Sequence, residues 1–224
     1  MVAANKVINE VNMKRLLVTI LYSALLLQPS LAQIRVVSDC TIIYSISTDA
    51  GKTDKDVREA LNASTKTVYI RGNDSRTDLV SPSFTQSLFF DKSTGNAVIL
   101  REFGNNKFMT RMDNSKWVSE NKKYEGMNAS LQSTESKSIL GYICKKGIIQ
   151  LKDGSSFNIY YSSEIVPSVK EYEYQFKDIP GIVLEFESQE ADGKKIKYLA
   201  TKITFAPVPA SRFDIPKSGY RLLN

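Results

Sequence analysis

Apolar and polar residues alternate with a period of two along most of the chain, which is the pattern of strands that bury one face. Turn-forming residues interrupt this alternation at roughly ten-residue spacing, as in an antiparallel meander. In the first half the predicted turns are Gly72-Asn73-Asp74, Asp91 to Asn96 and Gly104-Asn105-Asn106. In the second half they are Lys152-Asp153-Gly154 and Asp192-Gly193. These patterns predict roughly ten strands, counted by the rules for strands and hairpins.

Three segments depart from simple alternation. The stretch VKEYEYQF (169–176) predicts a strand that places Tyr172, Tyr174 and Phe176 on one face. In the last long strand, Ile196 and Tyr198 share one phase and Leu199, Ile203 and Phe205 the other, which predicts a bulge near Leu199-Ala200 or burial of both faces. KDIPGIVLEFE (177–187) begins with Pro180 and Gly181, which suit a strand's first residues, a sharp bend or a close approach of another backbone.

Helical spacing is weak, and it predicts one short helix in TDKDVREALNAST (53–65) and a loop or short helix around Trp117. The chain is therefore predicted to be mainly β. A sheet of so many strands must curl, split or close, because strands twist. We expect a single large curled antiparallel sheet, a half-open barrel with one or two short helices; a two-sheet β-sandwich is the alternative.

The N-terminus has the pattern of a secretory signal peptide. Lys14 and Arg15 precede an almost entirely apolar run, and small residues follow it, which predicts cleavage between Ala32 and Gln33. Translation could begin at Met13. We therefore expect a signal peptide over 1–32 and a single β-rich domain over 33–224, exported to the periplasm of a Gram-negative bacterium or secreted, with no transmembrane segment in the mature chain.

Composition excludes several classes of protein. The formal net charge is +6, but the basic residues are scattered among acids, so no nucleic-acid partner is expected. The chain has no histidine, which removes Ser-His-Asp and Cys-His catalysis and histidine-bearing zinc sites. It also has no glycine-rich phosphate loop and no acidic calcium loop. We expect no cofactor and no metal.

The two cysteines, Cys40 and Cys144, are the one candidate disulfide. An even count in an exported chain suits pairing, and a bridge over so long a loop would contribute roughly 4–5 kcal/mol in the chain-entropy model. Two separate buried thiols are the alternative. No C-x-x-C motif is present, so a redox site of that kind is not expected.

Carboxylates are what remains for catalysis. Glu171 with Glu173, and Glu185 with Glu187, are spaced so that a strand would place each pair on one face, about 6–7 Å apart. Retaining glycosidases hold two carboxyl groups at about 5–5.5 Å. Alternating acids are more often the wet face of a half-buried strand, so we expect a protein that is not an enzyme.

Three segments together resemble the exported GLPGLI family of Gram-negative bacteria and related domains of unknown function. They are ILGYICKK (139–146), IYYSSEIVPS (159–168) and FKDIPGIVLEFE (176–187). Pro180 and Gly181 stand where the family's namesake hexapeptide has its Pro-Gly, and Asp178 replaces its first glycine. YIRGNDSR and FDIPKSGY are also similar to pieces of exported domains that are related in shape to lipoprotein carriers. The resemblance implies the half-open barrel of those carriers, which hold acyl chains in the cavity.

These expectations favour a non-enzymatic binder or carrier of an apolar ligand, such as a lipid or a lipoprotein acyl chain. Tyr172, Tyr174 and Phe176 are the candidate ligand-binding residues, with Phe89 a weaker candidate. Aromatic residues of this kind more often fill a core. The alternative function is a structural or interaction module of the cell envelope that pairs strand edges with a protein partner.

Overall fold

The computed structural model describes residues 34–48, 54–189 and 195–223 as one compact unit dominated by a single sheet. The strands are β1 (Arg35–Val37), β2 (Asp39–Thr48), β3 (Thr65–Arg71), β4 (Asp74–Val80), β5 (Thr85–Asp91), β6 (Asn96–Phe103), β7 (Asn106–Met112), β8 (Asn128–Ser130), β9 (Ser136–Ile139), β10 (Tyr142–Gln150), β11 (Ser156–Ser162), β12 (Ile165–Pro167), β13 (Ile182–Gln189), β14 (Lys195–Thr204) and β15 (Arg221–Leu223). The helices are α1 (Lys55–Asn62), α2 (Asn114–Glu120) and the 3₁₀ helices Lys122–Tyr124, Lys170–Tyr172, Tyr174–Phe176 and Ala210–Phe213.

The main sheet has 13 strands in the order β15-β7-β6-β5-β4-β3-β2-β14-β13-β11-β10-β8, with β9 also paired to β10. Neighbours are antiparallel, except that β15 runs parallel to β7. The sheet curls without closing, and β1 and β12 form a separate parallel pair beside it. The prediction of a mainly β fold with a single large curled, open sheet is confirmed, and a two-sheet sandwich is not what the chain forms.

The meander β2 to β7 follows from local turn chemistry. β3 and β4 are joined at Gly72, whose φ is +58°, and β6 and β7 at Gly104, whose φ is +57°. Glycine adopts this left-handed backbone without a steric penalty. The irregularity predicted near Leu199-Ala200 is also present in β14, because the register of β14 with β2 shifts between Ala200 and Lys202. That shift is a bulge, which moves the side chains that follow it to the other face.

Next to β10, the edge of the sheet is formed by two short strands, β8 and β9, instead of one long strand. β8 pairs with Ile148 to Gln150 and β9 with Tyr142 to Lys145, and both are antiparallel to β10. Between the two pieces Leu131 lies over Gly147, where a Cβ atom would be 2.8 Å from the Leu131 Cδ2 atom. The edge strand is therefore interrupted by a segment that leaves the ladder.

The segment 169–176 is not the strand that its alternation predicts. It forms the two 3₁₀ helices Lys170–Tyr172 and Tyr174–Phe176, with a backbone bond from Phe176 N–H to the Glu173 carbonyl of 2.9 Å. The segment fills the concave side of the curled sheet, and the pairing partners of the main sheet do not include it. Each 3₁₀ turn buries an aromatic ring, so an alternating pattern arises without a ladder.

Gly181 is a point of close backbone approach. Its φ lies outside the left-handed region, so the sharp bend through positive φ that the sequence allowed is not used. A Cβ atom there would be 2.1 Å from the Ser162 carbonyl oxygen. Pro180 precedes β13 and needs no ladder partner. Of the two roles expected for Gly181, the close approach is the one the structure shows.

Cys40 and Cys144 are free, buried thiols rather than the candidate disulfide. Cys40 lies in β2 and Cys144 in β10, and three strands separate these two in the ladder. Among the described residues, no helix is long and apolar enough to cross a membrane. The predicted signal peptide, its cleavage point at Ala32 and Gln33, and the alternative start at Met13 lie outside the described residues.

Candidate functional site

A cavity of about 640 Å³ lies on the concave side of the sheet, between β5, β6 and β7 and the helical segments that cover them. Its lining combines apolar and aromatic side chains with charged ones. The lining residues are Gln86, Leu88, Ile99, Arg101, Thr110, Met112, Lys116, Trp117, Glu120, Asn121, Lys123, Tyr124, Glu173, Tyr174, Gln175 and Leu223. We call this space the concave cavity.

The strands supply the floor of the concave cavity through their alternation. Leu88 of β5 is paired with Ile99 of β6, and Gln86 is paired with Arg101 one step along the same face. Ile99 is in turn paired with Thr110 of β7. Residues two apart on one strand share a face, and paired residues on neighbouring strands lie side by side. The strands β5, β6 and β7 therefore build one continuous surface. The floor is apolar at Leu88 and Ile99 and polar toward Gln86 and Arg101.

Helix α2 holds Trp117 over this floor. Its N-cap residue Asp113 accepts a hydrogen bond from the Lys116 backbone N–H at 2.8 Å, which satisfies one of the free donors of the first turn. Trp117 is the buried residue of the helix, and its ring lies 5.8 Å from Phe90 and 6.1 Å, edge-on, from Tyr174. Its indole Nε1 has no hydrogen-bond acceptor within the described part of the chain.

Charged side chains surround the concave cavity. The Arg101 Nε atom donates to the Gln86 Oε1 atom at 2.9 Å, so this cation is bound to a neutral partner. Glu173 is ion-paired with Lys66, whose side chain is only 11% exposed and whose Nζ atom lies 5.0 Å from the centre of the Tyr198 ring. A pair buried this far depends on both members, because either charge alone would be poorly solvated.

The predicted ligand residues divide between this cavity and the core. Tyr174 lines the concave cavity. Tyr172 and Phe176 are each 1% exposed and pack against each other with ring centroids 5.7 Å apart, so they fill the core. Tyr172 also receives a hydrogen bond from the Val183 N–H at 3.4 Å. Burial raises the pKa of Tyr172 and keeps its hydroxyl neutral.

Phe89 lies on the opposite face of the sheet from Tyr174. It belongs to a second, smaller core cluster with Val98, Leu100 and Met109, which the chain after β14 covers through Ile215 and Tyr220. A cavity of about 280 Å³ adjoins this cluster. Phe89, the weaker ligand-binding candidate, therefore does not line the concave cavity.

The carboxylates of the two predicted pairs lie in ion pairs or in the 3₁₀ segment. Glu185 is 6% exposed and contacts Lys137 at 2.7 Å and Lys197 at 3.0 Å. Glu187 contacts Lys195 at 3.3 Å, while Glu171 and Glu173 lie in the 3₁₀ segment rather than on a strand. Glu185 and Glu187 are thus engaged by lysines across the sheet, as expected for structural ion pairs.

The thiols are also in structural positions. Burial raises the pKa of Cys40 to about 12 and that of Cys144 to about 11. A thiol with so high a pKa stays protonated at neutral pH and is a weak nucleophile. Within residues 34–48, 54–189 and 195–223, no group of three or more cysteine, aspartate and glutamate side chains is placed to hold a metal ion.

Sequence reasoning missed most of the concave cavity, because its members come from strands and helices far apart in the chain. The alternation of β5 and β6 carries a usable signal, since it puts Leu88 and Ile99 in phase across a hairpin whose turn was predicted. Lys116, Trp117 and Lys123 carry no such signal. Their position depends on how α2 and the following 3₁₀ helix fold back over the sheet.

No protein-family model and no curated protein sequence matches the chain. Solved structures similar to it include an uncharacterized conserved protein from Thermus thermophilus, with a TM-score of 0.46, 7% identity, and coverage of 83% of this chain and 90% of that one. MucB is similar with a TM-score of 0.41 and 8% identity, and the match covers 80% of this chain and 58% of MucB. A LolA superfamily protein from Nitrosomonas europaea has a TM-score of 0.34, 12% identity, and coverage of 80% and 90%. These likenesses assign no family or activity, and the resemblance to the GLPGLI family stays a prediction.

Proposed function

We propose that this protein is a non-enzymatic binder or carrier of an apolar ligand, such as a lipid or a lipoprotein acyl chain, that acts in the periplasm of a Gram-negative bacterium or after secretion. The concave cavity is the observation that carries the proposal. Its volume of about 640 Å³ lies within the range of roughly 300–1,000 Å³ that small-molecule sites occupy. The apolar part of its floor, at Leu88 and Ile99, and its aromatic side chains suit a hydrocarbon chain, while polar and charged side chains form the rest of the lining.

The cover of the cavity supports entry of a ligand. Helix α2 has seven residues, and Trp117 is its buried residue, while Val118 is 44% exposed. A segment held by few buried contacts opens at low free energy. A ligand that displaces α2 therefore has to free one buried side chain, Trp117, from its contacts with Phe90 and Tyr174.

Trp117 provides the test, because it is the only tryptophan of the chain and it lines the cavity. We expect a fatty acyl chain that carries bromine near its end to quench the Trp117 fluorescence in a saturable way. The variant Ile99→Gln puts a polar group into the floor and should weaken binding by about tenfold, since burying an unpaired amide costs about 1–3 kcal/mol.

Ile143→Gln is the matched control, because Ile143 is 57% exposed on β10 and does not line the cavity. It should bind like the parent chain. Absence of quenching, together with native mass spectra that show only ligand-free protein isolated from the periplasm, would count against the proposal.

The second candidate function is an envelope module that pairs a strand edge with a protein partner. The open sheet favours it at its β15 end, because the sheet does not close on itself and β15 covers only Phe108 to Thr110 of β7. Strand addition to such an edge supplies main-chain hydrogen bonds to a partner. Cross-linking in intact cells followed by pull-down tests it, and recovery of no specific partner would contradict it.

A further inference from the structure

Positive charge is in excess at the concave cavity. Its lining holds three cations, Arg101, Lys116 and Lys123, against the two carboxylates Glu120 and Glu173. Glu173 is already neutralised, because it is ion-paired with Lys66. Within the described ranges, no carboxylate lies within ion-pairing distance of Lys116 or Lys123. The Lys123 Nζ atom lies 4.8 Å from the centre of the Tyr124 ring, and its charge helps to lower the pKa of Asp153 without forming an ion pair with it.

The cations stand beside apolar surface rather than apart from it. Lys116 precedes Trp117 in α2, and Arg101 shares its strand face with Ile99. Trp117 is only 6% exposed, and its indole N–H has no acceptor within the described part of the chain. Buried polar groups in folded proteins are nearly always hydrogen-bonded. An oxygen atom of a bound ligand would supply the acceptor.

We infer that the ligand of the concave cavity is an anionic amphiphile, whose acyl chain lies on the apolar floor and whose carboxylate or phosphate head is bound by Lys116, Lys123 and Arg101. This inference rests on the proposed function and specifies the ligand class of the same site. Hydrogen bonds from cationic donors to such anions are stronger than those between neutral groups. Head-group charge is then what separates this ligand from other apolar molecules.

The test compares amphiphiles that share one chain and differ in the head. Dodecyl phosphate, dodecanol and dodecylammonium are titrated below their aggregation concentrations, with Trp117 fluorescence and calorimetry as readouts. Inorganic phosphate alone is the fourth arm, and it separates recognition of a head group from recognition of a free anion. We expect dodecyl phosphate to bind most tightly, dodecanol more weakly and dodecylammonium most weakly, and inorganic phosphate not to bind.

The double variant Lys116→Gln/Lys123→Gln should weaken dodecyl phosphate by about tenfold, which corresponds to about 1.4 kcal/mol, and leave dodecanol unchanged. Lys122→Gln is the matched control, because Lys122 adjoins Lys123 in the same 3₁₀ helix and does not line the cavity. Added salt should reduce the preference for dodecyl phosphate in the parent chain, since exposed charges are screened.

The outcomes separate this inference from the proposed function. If dodecanol or dodecylammonium binds as tightly as dodecyl phosphate, or if the double variant keeps the preference, the head-group inference is overturned while the carrier proposal stands. If no amphiphile binds, both are overturned. Binding of inorganic phosphate as tightly as dodecyl phosphate would show a simple anion site and overturn both as well.

Discussion

Replacing Gly181 with alanine tests the close approach between the start of β13 and the end of β11. The added Cβ atom would lie 2.1 Å from the Ser162 carbonyl oxygen, 2.8 Å from the Ser162 carbonyl carbon and 3.0 Å from the Ser163 Cα atom. All three are backbone atoms, so no side-chain rotation relieves the clash. The strands must separate where Ser162 is paired with Ile182.

Two opposing effects set the sign of the stability change. The φ of Gly181 lies outside the left-handed region, and at such a position alanine normally stabilises a protein by about 0.4–1 kcal/mol through the unfolded state. Overpacking typically costs about 1–3 kcal/mol, and rigid backbone obstacles place this site at the upper end. We therefore expect a net loss of about 2 kcal/mol, which lowers the Tm by about 4–8 °C in a domain of this size.

Gly147→Ala is the matched control for thermal unfolding followed by circular dichroism. Gly147 also has an ordinary φ, but the nearest neighbours of an added Cβ atom are side-chain atoms, Leu131 Cδ2 at 2.8 Å and Ile159 Cγ1 at 3.0 Å. These can move, so the Tm of this variant should fall less than that of Gly181→Ala. A Gly181→Ala chain that melts at or above the parent temperature, or no lower than Gly147→Ala, would refute the close-approach argument.

Four further predictions follow from buried groups. Tyr172→Phe should lower the stability in urea by about 1 kcal/mol, because the Val183 N–H loses its acceptor, and should leave amphiphile binding unchanged. Lys66→Met should lower the free energy of unfolding by about 3 kcal/mol, because Glu173 loses its cation. Adding Glu173→Gln should restore most of that loss, and no restoration would contradict the ion-pair argument. Cys40 and Cys144 should react with a thiol reagent at pH 8 only after denaturation. Burial raises the pKa of Cys40 from 9.0 to about 12. The stability that this neutral thiol contributes is therefore present below pH 9 and is lost as the pH rises toward 12. A free energy of unfolding that stays constant from pH 9 to 12 would contradict the burial of Cys40.

The sequence predicted the parts of the fold that depend on near neighbours. The turns at Gly72 and Gly104 need glycine for a positive φ, and each joins two strands whose alternation is visible on either side. The bulge in β14 is visible as a change of phase in one strand. Short elements such as β8 carry too few residues to show a period, so the fifteen described strands exceed the roughly ten predicted.

The parts that depend on distant residues were not predictable. Tyr172 and Tyr174 lie in 3₁₀ turns and not on one strand face, because the curled sheet around them leaves their segment no strand to pair with. Tyr172 then fills the core and Tyr174 reaches the concave cavity. The cover of that cavity depends on where α2 lies, and no local pattern encodes that position.

The interrupted edge beside β10 has a consequence for how the protein behaves at high concentration. A long, flat edge strand exposes a row of free N–H and C=O groups that a second chain can extend into an aggregate. Here β8 has three residues and β9 has four, and the chain between them leaves the ladder at Leu131. Glu135 of this edge is ion-paired with Lys146 at 2.9 Å, which adds charge at the gap. A second molecule can therefore pair with only a few residues in succession, so this edge resists the growth of sheet-to-sheet aggregates.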